Sequence, residues 1–427
     1  MVVHCDIEFD QNPTGTYYAG QLVSGKIVLK CDKVKEAKAI LLKISGSAET
    51  LWSERHFSTR RMYYGREDYL SSSTYLMGSE QSKTIIHNCL EDGFCFNKIF
   101  PGPKASIAVG VHTYTFACQL PYNCPSSFEG VHGHIRYTVK VVLQRPWKFD
   151  NVYNRAFTVL RVTDLNFESP QIRIPSTSEA YKTFCCGPCT TEPLKMELKV
   201  PQTGYVPGQN IPVQGIVINN TNMAVSEVKF MLVMLVRYTS NKPHRINVQR
   251  VAVSKIKSDS VLRYCTRAMK EELHVPATPP TCIQGSSVIQ IVYQIEMYCK
   301  MKSLNKTQVV TMPVIIGNVP LANNTRRFNV IDEQPTSSSR DIREVPSDAD
   351  ESKEVGSPPT LDLSTPNMPP PSYEESVHTQ RSNINEGEEH TFGPSEFAPL
   401  YPVFNISTPS LDQTPLPMGI ENKSFSP

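Results

Sequence analysis

The sequence predicts an all-β protein: two β-sandwich domains in tandem, then a C-terminal tail without fixed structure. Three observations predict it. A pair of motifs occurs twice, in the same order. The apolar residues between them alternate with period two. After about residue 327 the composition changes to proline, serine and acidic residues.

Tyr17-Tyr18-Ala19-Gly20-Gln21 leads into Ser24-Gly25-Lys26-Ile27-Val28-Leu29, and Tyr205-Val206-Pro207-Gly208-Gln209 leads into Gln214-Gly215-Ile216-Val217-Ile218. Leu120-Pro121-Tyr122-Asn123-Cys124-Pro125 precedes Ile135-Arg136-Tyr137, and Val275-Pro276-Ala277-Thr278-Pro279-Pro280 precedes Ile291-Val292-Tyr293. Two linked motifs in both halves imply two copies of one domain. Gly20 and Gly208 can supply the positive φ of a turn before a strand. Pro121, Pro125, Pro276 and Pro280 precede strands, where a missing N–H costs little.

Between the motifs, Ile135, Tyr137, Val139, Val141 and Leu143 form one such series, and Ile289, Ile291, Tyr293, Ile295 and Met297 form another. Period two puts one face in a core and the other in water. Short strands with Gly and Pro between them indicate sandwiches rather than a parallel α/β sheet. Residues 1–167 are assigned to the first sandwich. Residues 168–193, with Pro170, Pro175, Pro188 and Pro193, are assigned to a linker. Residues 194–327 form the second sandwich. The weakly periodic stretch 47–108 reads as a long hairpin excursion or loop. Residues 328–427 hold 15 of the 34 prolines and are expected to be disordered, with too little apolar surface to offset ordering entropy.

The formal charge of +2 hides a division: residues 1–327 carry +14 and residues 328–427 carry −12. A basic body suits anionic partners, among them membrane lipids, or its own acidic tail. The longest apolar run, Phe230 to Val236, is far too short to span a bilayer. No signal-peptide core follows Met1, position 2 is Val rather than the Gly of myristoylation, and no prenylation Cys closes the chain. A cytoplasmic or peripherally bound protein is expected, its 12 cysteines mostly reduced.

The tail carries Pro369-Pro370-Pro371-Ser372-Tyr373. Consecutive prolines pre-set a polyproline II conformation, which WW domains hold in aromatic grooves. The set that such a domain reads is Pro370, Pro371 and Tyr373, and chance would place it in this composition about 0.1 times. Ala398-Pro399-Leu400-Tyr401 repeats the pattern without its first proline, making Pro399 and Tyr401 a weaker second candidate that would add avidity.

Other motifs carry less. Cys186-Gly187-Pro188-Cys189 matches a thiol–disulfide tetrapeptide, but strand-like residues follow it, and no helix N-terminus is there to lower a thiol pKa. Cys185, Cys186 and Cys189 are instead candidates for palmitoylation. His132-Gly133-His134 has no acidic or Cys partner at metal-ligand spacing. No cofactor, metal or catalytic signature stands out, and no nucleic-acid partner is expected.

Together these residues resemble a family. Leu120-Pro121 through Pro125-Ser126-Ser127-Phe128-Glu129-Gly130, Ile135-Arg136-Tyr137 and Arg145-Pro146-Trp147 resemble the N-terminal half of an arrestin domain-containing protein, an alpha-arrestin. Gly204-Tyr205, Pro207-Gly208-Gln209, Val275-Pro276, Pro280-Thr281 and Pro313-Val314-Ile315-Ile316-Gly317 resemble its C-terminal half. The resemblance spans roughly residues 1–320. It implies two arrestin-like, immunoglobulin-like β-sandwiches and a tail with Pro-Pro-x-Tyr motifs. It implies an adaptor that brings a WW-domain HECT-type ubiquitin ligase to transmembrane cargo, so that ubiquitinated cargo is endocytosed and sorted. Work at the plasma membrane and endosomes would follow. An arrestin-shaped trafficking scaffold without ligase recruitment is the alternative. Of the family's binding motif, only Pro370, Pro371 and Tyr373 carry over residue by residue.

Overall fold

The computed structural model describes residues 3–10, 12–78, 83–89, 95–101, 105–183, 193–302, 307–322, 371–385 and 389–406. The only helical element among them is a 3-10 turn at Pro170–Arg173. Everything else that is regular is β-strand.

In the first sandwich, strands His4–Phe9, Leu22–Cys31 and Gly110–Gln119 form one sheet, in that order. The facing sheet runs Thr16–Tyr18, Asn151–Leu160, Gly133–Gln144, Ala39–His56, Thr59–Met77. The second sandwich repeats this order. Leu194–Val200, Asn210–Asn219 and Cys265–His274 make one sheet. Gly204–Tyr205, Thr307–Ile316, Ile289–Met301, Val225–Ser240 and Arg245–Ser258 make the other. In both copies the short second strand pairs parallel with the last one. The sequence repeat is thus a repeat of topology.

The alternation carries this arrangement. Leu194–Val200 reads buried at every other residue, as does most of Leu22–Cys31. The inward residues of the facing sheets gather in a buried apolar cluster, as in the core of a sandwich. The duplicated motifs also make duplicated bonds. Gln21 Oε1 accepts from Tyr18 N at 2.8 Å, and Gln209 Oε1 accepts from Val206 N at 2.9 Å. Tyr137 donates its phenol proton to Pro125 O at 2.8 Å, and Tyr293 donates to Pro279 O at 2.7 Å.

The long stretch after residue 47 is mainly a hairpin of Ala39–His56 with Thr59–Met77, kept in register by cross-strand pairs from Ile40–Met77 to His56–Thr59. Its far end meets the second sandwich. Thr50 Oγ1 donates to Thr239 O at 3.0 Å, Asn241 N donates to Tyr64 O at 3.0 Å, and Arg245 pairs with Glu54. Ser287 N donates to the Glu67 carboxylate at 2.7 Å. Near the crossover, Thr163 N donates to Asn318 Oδ1 at 2.7 Å.

Two expectations change here. Residues 168–193 are not all linker: Ser176–Lys182 pairs antiparallel with Leu194–Val200 and forms the edge of the second sandwich. Glu179, Tyr181 and Lys195 hold that edge together, with Lys195 Nζ 3.1 Å from Glu179 and 5.4 Å from the Tyr181 ring. Nor is the tail without fixed structure over its whole length. Within 371–406, Ser372–Glu375 pairs antiparallel with Leu400–Val403, Ser382–Asn383 pairs with Glu396–Phe397, and Thr391–Phe392 adds to the first sandwich beside Val152 and Tyr153. The physical reason is the run Phe397 to Phe404, which is free of charge and rich in apolar residues. It supplies apolar side chains that can be buried against the body.

Candidate functional site

The tail segment meets the body along a seam at the end of strand Asn151–Leu160. Ser126 and Ser127 prepare it. Ser127 N donates to Val159 O at 2.7 Å, and Ser127 Oγ accepts from Val159 N at 2.9 Å. Ser126 Oγ accepts from Arg161 N at 2.8 Å. The segment before Phe128 is thereby pinned along the end of strand Asn151–Leu160, leaving the Ser127 carbonyl free to accept a further bond. Two residues on, Glu129 has no exposed side-chain surface and holds Arg136 in a bidentate pair at 2.7 and 2.8 Å. Such a pair fixes orientation as well as charge.

Tyr401 fills the space so formed. It is fully buried among Tyr18, Leu160, Val162 and Tyr373, and its phenol donates to Ser127 O at 3.0 Å. Burial raises its pKa, so it stays a neutral donor. Leu400 N donates to Thr158 Oγ1 at 3.2 Å. Three residues beyond Tyr401, Phe404 enters a second cluster with Leu165, Ile172 and Val206, and its N–H donates to Pro207 O at 2.9 Å. Burying each aromatic side chain is worth about 2–3 kcal/mol before ordering is charged against it. The two anchors reach the first sandwich and the junction with the second, so the segment bridges both.

The duplicated glycines explain why the second cluster is open. Gly20 and Gly208 both have positive φ, +86° and +94°. A methyl on Gly20 would meet the ring of Tyr122, from its own domain. A methyl on Gly208 would meet the backbone of Phe404. The first copy covers its notch with a local side chain, whereas the second has its notch covered by the tail.

Further contacts tie the tail to the first sandwich. Gln380 N donates to Glu129 O at 3.1 Å, and Val152 N donates to His390 O at 3.0 Å. Phe392 stacks on Tyr153 with ring centres 5.3 Å apart.

Tyr373 is half-buried, with its phenol oxygen 3.5 Å from that of Tyr18, while Ser372, Glu374 and Glu375 on the same strand are exposed. Burial, reinforced by the Tyr373 phenol, pushes the Tyr18 pKa up. Pro371 is partly buried, and Pro370 lies outside the described residues. Pro399 and Tyr401, read as a second external motif, are both buried. In this arrangement Tyr401 occupies a pocket of its own chain and offers nothing to an outside groove. Cys185, Cys186 and Cys189 lie outside the described residues. His132 sits edge-on to the Tyr238 ring, with centres 5.4 Å apart. Burial, then Arg136 and Arg66, lowers the His134 pKa to about 3. Among the described residues no three His, Cys, Asp or Glu side chains gather as a metal set, and no helix is long and apolar enough to cross a membrane.

Residues 5–166 match the family model "Arrestin (or S-antigen), N-terminal domain", and residues 190–321 match "Arrestin (or S-antigen), C-terminal domain". The chain belongs to the alpha-arrestin family. Arrestin domain-containing protein 17 of Caenorhabditis elegans is 29% identical over 439 residues, covering 92% of this chain and 97% of that protein. Arrestin domain-containing protein 1 of Homo sapiens is 27% identical over 232 residues, 54% of this chain and 52% of that protein. Arrestin domain-containing protein 4 of Mus musculus is 23% identical over 329 residues, 76% and 74% of the two chains. Arrestin-domain proteins are adaptors and scaffolds of trafficking rather than enzymes. For this alpha-arrestin, sequence reasoning missed Ser127, Glu129 and Gly208 as a seat for the tail. The signal that could have found it was the uncharged run Phe397 to Phe404 inside an acidic segment.

Proposed function

We propose that this alpha-arrestin recruits a WW-domain HECT-type ubiquitin ligase to transmembrane cargo, promoting cargo ubiquitination, endocytosis and endosomal sorting. The observation that carries the reading is the Pro370-Pro371-Ser372-Tyr373 set on a tail attached to a double arrestin body. Its prolines favour the extended left-handed conformation that a WW groove takes, and its tyrosine fills the neighbouring pocket. The basic body, +14 over residues 1–327, favours peripheral association with anionic lipid at the plasma membrane and endosomes.

Tyr373 cannot pair with Pro402 as a β-strand and fill a WW pocket at once. Ligase binding on this reading therefore draws strand 372–375 away from strand 400–403. The test is co-precipitation of a WW-domain ligase with the full chain. Tyr373→Ala should remove most of it, a loss of about 1–3 kcal/mol for a hot-spot residue. Unchanged capture would leave the scaffold reading, in which trafficking work persists without ligase.

A further inference from the structure

We propose that the seam holding Tyr401 and Phe404 is a receptor site for extended peptides. It would read a tyrosine followed three residues later by a bulky apolar side chain, and the protein's own tail fills it in cis. Four observations place it. The recognition is divided between two separate apolar clusters, one around Tyr18 and Leu160, the other around Leu165, Ile172 and Val206. The side chains that fill them, Tyr401 and Phe404, are three residues apart, a span of about 10 Å in extended chain. The polar contacts suit any peptide backbone: Thr158 Oγ1 takes an N–H just before the tyrosine, and Pro207 O takes the N–H of the apolar residue. Only the Ser127 carbonyl reads a side-chain hydroxyl, and it selects tyrosine over phenylalanine.

The fourth observation is the Gly20 and Gly208 comparison. The first sandwich closes its notch with Tyr122, whereas the second leaves the equivalent notch to a chain arriving from outside the domain. A site completed by a detached segment is built to accept a segment. The occupant supplied in trans is accordingly a cytosolic peptide of the pattern Tyr-x-x-bulky apolar, as Tyr401-Pro402-Val403-Phe404 itself displays. This assignment does not depend on the ligase reading, since no WW domain enters its test.

The test uses the full chain and a fluorescein-labelled synthetic peptide of residues 396–406, read by anisotropy. A chain carrying Tyr401→Ser with Phe404→Ser cannot seat its own tail. It should bind the peptide saturably and at least about tenfold more tightly than wild type, whose site is occupied. A control peptide with both aromatic residues changed to Ala should not bind. In wild type, excess peptide should strip hydrogen-exchange protection from the chain's own residues 400–404, a readout that needs no variant. Absence of saturable binding to a cooperatively melting double variant would overturn the proposal, as would equal binding to both chains. Unchanged protection of the wild-type tail under excess peptide would do the same. Wild-type dimers that excess peptide fails to dissolve would overturn it in favour of tails exchanged between two copies.

Discussion

The phenol of Tyr401 donates to the main-chain carbonyl of Ser127, 3.0 Å away and 274 positions earlier in the chain. That bond joins a tail residue to Ser127, whose N–H and hydroxyl are already engaged with Val159. Tyr401→Phe should weaken tail seating by about 1 kcal/mol, the usual net value of one hydrogen bond. Tyr401→Ala should weaken it by about 3–5 kcal/mol, as for deletion of a buried aromatic side chain. Amide exchange at residues 400–404 measures both, with the sandwich strands as internal reference.

On the proposed ligase reading, seating of the tail and capture of a WW domain should oppose each other. Because Tyr373 pairs with Pro402, loosening the Leu400–Val403 strand should free the Pro-Pro-x-Tyr segment for the proposed ligase contact. Calorimetry of a WW domain against the full chain should show tighter binding to Tyr401→Ala than to wild type, by about tenfold if the seated form dominates. Equal affinities would mean that the tail does not mask the motif.

The two equivalent glycines should respond differently to the same change. Gly20→Ala pushes against the largely exposed ring of Tyr122, which can swing aside, leaving mainly the left-handed backbone strain of about 1–2 kcal/mol. Gly208→Ala meets the main chain of Phe404, which has no such freedom, so the tail should leave the seam. Limited proteolysis between residues 371 and 406 distinguishes them: rapid cleavage in Gly208→Ala, near wild-type resistance in Gly20→Ala.

Glu129 and Arg136 form a pair whose carboxylate has no solvent exposure. Glu129→Gln leaves the guanidinium without its counter-charge in that setting and should cost about 3–5 kcal/mol of stability. The urea midpoint of the full chain reports this. A shift smaller than about 1 kcal/mol would mean that water reaches the pair.

His134 should make the protein acid-sensitive. Its pKa in the fold is lowered to about 3 by burial and by Arg136 and Arg66, against an unfolded value near 6.5. Between those values the unfolded chain takes up a proton that the folded chain refuses, so stability falls as pH drops from about 6.5 toward about 3. At pH 5 the loss from this residue is about 2 kcal/mol. His134→Gln should flatten that part of the curve, measured by thermal melts at pH 7 and pH 5.

Much of the body was readable from the chain. Period-two runs such as Leu194 to Val200 show their buried face directly, and the Tyr-x-x-Gly-Gln repeat announced the duplication. The edge strand Ser176–Lys182 was not readable, because its outward residues are polar and its stability comes from pairing with Lys195 and its neighbours. Tyr401 was misleading for a different reason. Proline beside tyrosine signals an external groove, yet the same two residue types suit a buried strand end, where Pro402 needs no N–H partner. Local pattern could not choose between the two, since the pocket is made from residues 18, 127 and 160, far away in sequence.

The unequal covering of Gly20 and Gly208 bears on where this protein can be cut. A chain ended at residue 322 would keep every strand of the second sandwich, lose only Thr391–Phe392 from the first, and still expose raw apolar surface around Val206 and Ile172. Truncations made to remove the Pro-Pro-x-Tyr segment would therefore also unroof the body, and their phenotypes would mix two lesions. The smallest faithful version of the second sandwich extends to Ile406, long past its last sheet strand.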